Sequence, residues 1–354
     1  MRVVYFGTYE RRYPRNAQVI SALRRAGVEV VERHEPVWED REQKWGAGLD
    51  VLPRLALAEA RLLRAARIDA NAVIVGYPGQ FDLPAARRFA RGQPIVFNPL
   101  VSLADTFVSD RGRFRAGSLP ARLLAAIDRR ALRAADLVVA DTQANASFLA
   151  ELAGLRPERV AVCLVGAEER VFQPGWRPDE PPTVVFVGKL IPLHGLETIL
   201  TAARLAPELR LRVIGSGQLD RLLESRSANV EWVRWVEYGR LPAELQRAAC
   251  ALGIFGTSDK ARRVIPNKAF QALACGVPLV TADTPAAREL LTDGESALLV
   301  PPGDSEALAE ALRRVTTDPA LAQRIAEGGL AAYRRHAGEE VLGARWRSLI
   351  EGLL

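Results

Sequence analysis

Two stretches of the chain gather cationic side chains between an apolar run and a helical pattern. The first, VVFVGKLIPLHGLETILTAA, holds Gly188, Lys189, His194 and Gly195. The second, KARRVIPNKAFQALACG, holds Lys260, Arg262, Arg263, Asn267, Lys268 and Gln271. Each reads as a strand-side loop leading into a helix. Backbone N–H groups at a helix start attract anions, and nearby cations add charge. Two such loops on one sheet suit a diphosphate. The expected ligand is a nucleotide diphosphate joined to a transferable group. Asn267 reads as a helix N-cap, with Lys268 and Gln271 on the same face of the first turns. The plainer alternative is a routine turn and a capped helix with a solvated lysine.

Weaker signals surround these loops. VIGSGQLD carries Gly215 in a tight loop whose backbone is expected to pass near a base or phosphate. In WVRWVEYG, Trp235 or Tyr238 either flanks a base or packs in a core. The first half offers FGTYERRYPRN, with Gly7, Tyr9, Arg15 and Asn16, and FNPLVSLADT, with Asn98, Ser102 and Asp105. These are the candidates for holding a second substrate. Asp105 is the acid/base candidate there, although loop aspartates are more often turn residues.

The elements that must position these residues alternate strand and helix along almost the whole chain. The strands are apolar runs, as for strands covered on both faces. The expected class is α/β, with two doubly wound Rossmann-like domains facing a cleft. The first spans residues 1–168, a Pro-rich linker 169–182, the second domain 183–338, and a final helix 339–354. Ligands bind at the carboxyl ends of such strands.

The sequence has 354 residues, 49% hydrophobic and 25% charged, an ordinary globular balance. Its net charge of +6 suits anionic substrates or an anionic membrane face. No basic tail or stacking-aromatic pattern points to nucleic acid. Cys163, Cys250 and Cys275 fit neither a zinc nor a disulfide spacing and read as buried thiols in a reducing cytoplasm. The opening MRVVYF reads as a strand and not as a signal peptide. His34, His194 and His336 are too scattered to form a metal set by spacing, and no Asp-x-Asp occurs. No metal or cofactor is expected. Residues 52–67 mix leucines and arginines, with Trp38 and Trp45 upstream. They suggest peripheral contact with an inner membrane face, or an ordinary helix packed on a sheet.

Together, VFVGKLIPLHGLETILTAA, LRVIGSGQLDRLL, NKAFQALACGVPLVTADTPAARELLTDGESALLVPPGDSEALAEAL, ADLVVADTQANASFLAEL and VGAEERVFQP resemble glycosyltransferase family 4. The resemblance runs along the whole chain and is strongest in the C-terminal half. It implies a GT-B fold, an N-terminal acceptor domain, a C-terminal nucleotide-sugar domain, sugar transfer with retention, and a last helix that returns to the first domain. Lys189 matches the family's diphosphate-binding cation. His194 stands where a lysine is usual, also on the diphosphate. Two glutamates eight positions apart, for sugar and ribose hydroxyls, fall on Arg263 and Gln271. Lys189, His194 and Lys268 would stabilise the leaving group, with Asp105 orienting the acceptor. Gly188, Gly195, Gly215, Trp235, Asn267 and Gln271 would bind the donor. Gly7, Tyr9, Arg15, Asn16 and Ser102 would bind the acceptor. The expected donor is UDP- or GDP-linked, and the acceptor a glycan or lipid-linked hydroxyl. An epimerase or hydrolase on the same fold, and a weakly active partner subunit, are the competing readings.

Overall fold

The computed structural model describes residues 1–38 and 51–354. Trp45 lies outside the described residues. The chain forms two compact units, each described by itself. Unit 1 comprises Met1–Val108, Gly112–Val165 and Glu339–Leu354; unit 2 comprises Ser109–Arg111 and Gly166–Gly338.

In chain order, unit 1 contains β1 (Arg2–Gly7), α1 (Pro14–Arg25), β2 (Glu29–His34), α2 (Val51–Leu63), β3 (Ala72–Val75), α3 (Leu83–Ala90) and β4 (Ile95–Phe97). A π-helical turn (Asp105–Asp110), α4 (Leu119–Ala134), β5 (Leu137–Ala140), α5 (Gln143–Ala153) and β6 (Val160–Val162) follow. Unit 2 continues with β7 (Thr183–Val187), α6 (Leu196–Leu205), β8 (Arg210–Ile214), β9 (Val230–Val233), α7 (Leu241–Gln246), β10 (Cys250–Leu252), α8 (Asp259–Arg263), α9 (Asn267–Ala274), β11 (Leu279–Ala282), β12 (Leu298–Val300), α10 (Ser305–Thr317) and α11 (Pro319–His336). The final helix, α12 (Glu339–Glu351), is grouped with unit 1.

Each unit holds one six-stranded parallel sheet. The strand orders are β2-β1-β3-β4-β5-β6 and β12-β11-β10-β7-β8-β9. The expected doubly wound α/β class is therefore observed. β3 and β11 are buried at every residue, which is why AVIV and LVTA lack an alternating pattern. The order reverses beside β1 in the first sheet and beside β7 in the second, placing a switch point at the carboxyl end of each.

Helix α12 packs on α1 through Leu342, Trp346 and Ile350, which join Val19 and Leu23 in one apolar cluster. Gly343 makes this close approach possible. A β-carbon there would lie 2.2 Å from Ala22 O.

Candidate active site

The unit 2 site starts at Gly188, where β7 ends. Its φ is +153°, and a β-carbon would lie 2.7 Å from Lys268 Nζ and 3.3 Å from His194 Cε1. Only glycine leaves these two cationic side chains room to converge on the strand end. Gly215, ending β8, touches the same point, since a β-carbon there would lie 2.0 Å from Gly188 O. Gly195 has φ +67° and lets the 192–195 turn press against Phe255. These glycines draw the loops after β7, β8 and β10 together.

Lys268 reaches the cradle from the first turn of α9. It is 7% exposed, and among the described residues its buried Nζ has no hydrogen-bond partner. It lies against the Phe186 ring, with Nζ 3.8 Å from the centroid. Burial therefore holds its pKa well below the usual lysine range. His194 is also buried, edge-on to Phe186. Its Nδ1–H donates to Lys189 O. Burial first, and then the Lys268 charge, hold the imidazole well below its ordinary pKa. The ring is thus neutral at pH 7, with Nε2 left to meet a ligand. Lys189 itself is exposed. The site suits an anion: burial suppresses the charge of Lys268 and His194, which phosphate oxygens would restore, and Lys189 stands beside them.

Asn267 differs from the expected cap. Pro266 holds the N-cap position and Asn267 is the first helical residue, with no side-chain cap bond. The preceding proline sets extended backbone geometry one residue earlier than the sequence suggests. Trp235 is 75% exposed. Its neighbour Trp232 is instead fixed, donating to Gly215 O and lying under the Arg234 guanidinium at 4.0 Å. Gln271 is buried on α9, one turn past Lys268. It lies near the Tyr238 phenol, as does Glu168, which pairs with Arg170. Partial burial, with the Glu168 charge alongside, pushes the Tyr238 phenol up to about 12.

In unit 1 the polar loop residues are mostly engaged. The Tyr9 hydroxyl donates to Glu32, and Asn16 binds Tyr5, Glu10 and Tyr77. Arg15 is fully buried and donates to Asn98 Oδ1 and the carbonyls of Cys163 and Leu164. Ser102 donates to Asp128 and accepts from Asp105 N. Asp105 opens the π-helical turn and is nearly buried. One feature was not legible in the loops themselves. Asp82, just before α3, accepts from Thr8 N at 2.7 Å and Thr8 Oγ at 2.9 Å. A β-carbon on Gly7 would lie 2.0 Å from Asp82 Oδ2. Glu59 of α2 lies beside Asp82, and burial first, then that neighbouring acid, push the Glu59 carboxyl up to about 10. The Asp-Leu-Pro of residues 82–84 signals a helix start, but nothing local signals Glu59.

Among the described residues, no group of three or more His, Cys, Asp or Glu side chains could hold a metal. No described helix is long and apolar enough to cross a membrane.

Residues 181–318 match the family model for glycosyl transferases group 1. Over 95% of this chain and 89% of its own length, a GDP-mannose-dependent alpha-mannosyltransferase of Mycobacterium tuberculosis is 28% identical. The chain thus carries the group 1 glycosyl transferase pattern over residues 181–318 and is similar along its length to a named mannosyltransferase. A D-inositol 3-phosphate glycosyltransferase of Stackebrandtia nassauensis is 28% identical over 59% of this chain, and the match spans about half (53%) of that relative. Anabaena HepE, solved in complex with UDP-glucose, shares the fold with a TM-score of 0.69 at 17% identity, covering 100% of this chain and 99% of HepE. The GT-B fold implied by the resemblance is thus met by both sheets and by the solved structures that share them.

Proposed function

We propose that the protein transfers a sugar, with retention at its anomeric carbon, from a nucleotide diphosphate held in unit 2 to a hydroxyl acceptor held in unit 1. The observation that carries this reading is Lys268: a buried lysine head group with no hydrogen-bond partner among the described residues, set against a glycine strand end beside His194. A buried unpaired cation costs several kcal/mol unless an anion completes it. A diphosphate between Lys189, His194, Lys268 and the N–H groups at the starts of α6 and α9 is that anion. As the glycosidic bond breaks, negative charge grows on the departing diphosphate, and these groups stabilise it where it develops. Positioning of the acceptor hydroxyl supplies the remainder. Because side chains provide the positive charge, the reaction requires no divalent ion. Asp105 orients the acceptor in this reading, with Tyr9, Arg15, Asn16 and Ser102 shaping its unit.

A relative named for GDP-mannose and a fold neighbour solved with UDP-glucose support a UDP- or GDP-linked donor. A glycan or lipid-linked acceptor in surface-glycan or glycolipid synthesis fits the same reading. Exposed Leu52, Leu57 and Leu63 on α2 support peripheral contact with the cytoplasmic membrane face. Calorimetry with UDP, GDP and their sugars tests the donor assignment. Release of free nucleoside diphosphate on adding an acceptor, with the product's anomeric configuration read by NMR, tests transfer. A protein that binds neither nucleotide overturns the reading.

A further inference from the structure

Between β4 and α4 the chain leaves unit 1 after Val108 and returns to it at Gly112, and Ser109–Arg111 groups with unit 2. Phe107 O closes the base of this loop, accepting from Arg113 N at 2.8 Å and from Phe114 N at 3.4 Å. At the tip, the Asp110 side chain is 2% exposed, and it meets the Lys260 side chain of α8, which is 7% exposed. Lys260 Nζ donates to Asp110 Oδ2 at 3.5 Å, a long bond for two opposite charges. Asp110 Oδ1 is buried and has no hydrogen-bond partner among the described residues. A buried ion pair offsets its desolvation only when the geometry is good and further hydrogen bonds satisfy the remaining lone pairs. This pair meets neither condition, and what its carboxylate lacks is a donor.

The position of the pair limits what that donor can be. Helix α8 follows β10 and packs on the turn Pro192–His194, which follows β7. Gly256 permits the close approach, since a β-carbon there would lie 2.4 Å from Leu193 O, and Phe255 N donates to His194 O at 3.1 Å. Asp110 and Lys260 therefore stand at the carboxyl edge of the second sheet, on the helix beside the turn that carries His194. A phosphate oxygen would be repelled by Asp110. A hydroxyl suits both members: its O–H donates to the carboxylate, and its oxygen accepts from the ammonium. We propose that Asp110, with Lys260 as its positioning residue, accepts a hydrogen bond from a hydroxyl of the group that the nucleoside diphosphate carries, and so selects a hydroxylated transferable group. The inference rests on the reading of unit 2 as a nucleoside diphosphate site.

The test is calorimetry of wild type, Asp110→Asn and the double variant Asp110→Leu/Lys260→Met, with thermal unfolding of each. The probes are UDP, GDP, UDP-glucose, UDP-N-acetylglucosamine and GDP-mannose. Wild type is expected to bind at least one of these nucleotide-sugars about tenfold more tightly than the diphosphate it contains, as for a hydrogen bond to a charged group. Asp110→Asn keeps the shape and loses the charge, so the preference shrinks. The double variant erases it while UDP and GDP affinity is unchanged. Replacing both members by apolar side chains leaves no buried charge unpaired, so this variant keeps or raises the melting temperature. A preference that survives in the double variant overturns the proposal. Equal losses for a diphosphate and its sugar conjugate show that the pair only holds the loop in place, and overturn it too. Wild type that binds a diphosphate but prefers none of the three sugars overturns it and leaves the nucleotide reading intact. Absence of any nucleoside diphosphate binding to wild type overturns both.

Discussion

Each sheet closes its first strand in sequence with a glycine at positive φ, and the two glycines face opposite charges. Gly7 abuts the Asp82 carboxyl, whereas Gly188 abuts the Lys268 ammonium. The backbone device is the same: a missing β-carbon lets a buried ionisable group reach the carboxyl end of a parallel strand. What differs is how that group is satisfied. Asp82 accepts two bonds from Thr8 within its own unit. Among the described residues, Lys268 Nζ has no hydrogen-bond partner. Arg15 sharpens the contrast: it is fully buried, and although its Nη2 has no partner among the described residues, Nε and Nη1 make three hydrogen bonds. Burial of a basic group therefore does not itself mark a ligand site; burial of its whole polar head without a hydrogen bond is the stronger sign.

The largest effect should come from breaking the unit 2 side of this comparison. Lys268→Met is expected to weaken nucleoside diphosphate binding by roughly ten- to a hundredfold, a loss of about 1.5–3 kcal/mol for a charge-assisted contact. The same change should raise the melting temperature of the ligand-free protein, because it removes a buried unpaired cation. Calorimetry and thermal unfolding on one preparation would show affinity and stability moving in opposite directions. Equal losses in both would mean that Lys268 is structural after all.

A smaller effect is expected from pH. The free His194 is held neutral, so its folded pKa lies below its unfolded value near 6.5. That contribution to stability is present above about pH 6.5 and is lost as pH falls through the folded pKa. Diphosphate binding raises the pKa, so affinity should increase several-fold as pH falls below neutrality. His194→Lys should flatten the affinity profile, and titration of binding in buffers of different ionisation enthalpy would detect the proton uptake.

On the unit 1 side, the expected change is in stability alone. Glu59 is raised to about 10 in the fold, so the stability it contributes is full below its unfolded value and is lost as pH rises through the folded one. Glu59→Gln keeps an uncharged polar group beside Asp82 and should raise the melting temperature at pH 8 by about 2–4 °C, with little change at pH 5. A variant whose melting temperature falls at both values would show that Glu59 matters through its packing and not through its ionisation. Smallest of all, EDTA should leave turnover unchanged; restoration of a lost rate by magnesium would replace the cationic side chains with an ion as the source of charge.

How much of this was legible in the sequence follows from range. Gly188, His194, Gly195 and Lys268 announce themselves because a strand, a glycine turn and a helix start are local patterns. Their convergence needed only the parallel order β10-β7-β8. Glu59 and Asp82 meet only once α2 and the β3–α3 loop are both laid over β1. Tyr238 and Glu168 join Gln271 across still longer stretches of chain. Tyr9, Asn16 and Ser102 show the opposite difficulty. Polar residues in a loop after a strand look available, yet burial has committed each to a neighbour. Asn267 missed its cap by one position because Pro266 takes that place, and cap positions depend on a single residue's backbone angles.

The seating of α12 on α1 has a consequence for synthesis. Unit 2 is nearly continuous from Gly166 to Gly338 and can complete its sheet as soon as that stretch leaves the ribosome. Unit 1 emerges first but finishes last, because the apolar face of Val19 and Leu23 waits for Leu342 and Trp346. Unit 1 thus carries an uncovered apolar flank until α12 has been made, and a chaperone that recognises such flanks would engage the nascent chain there.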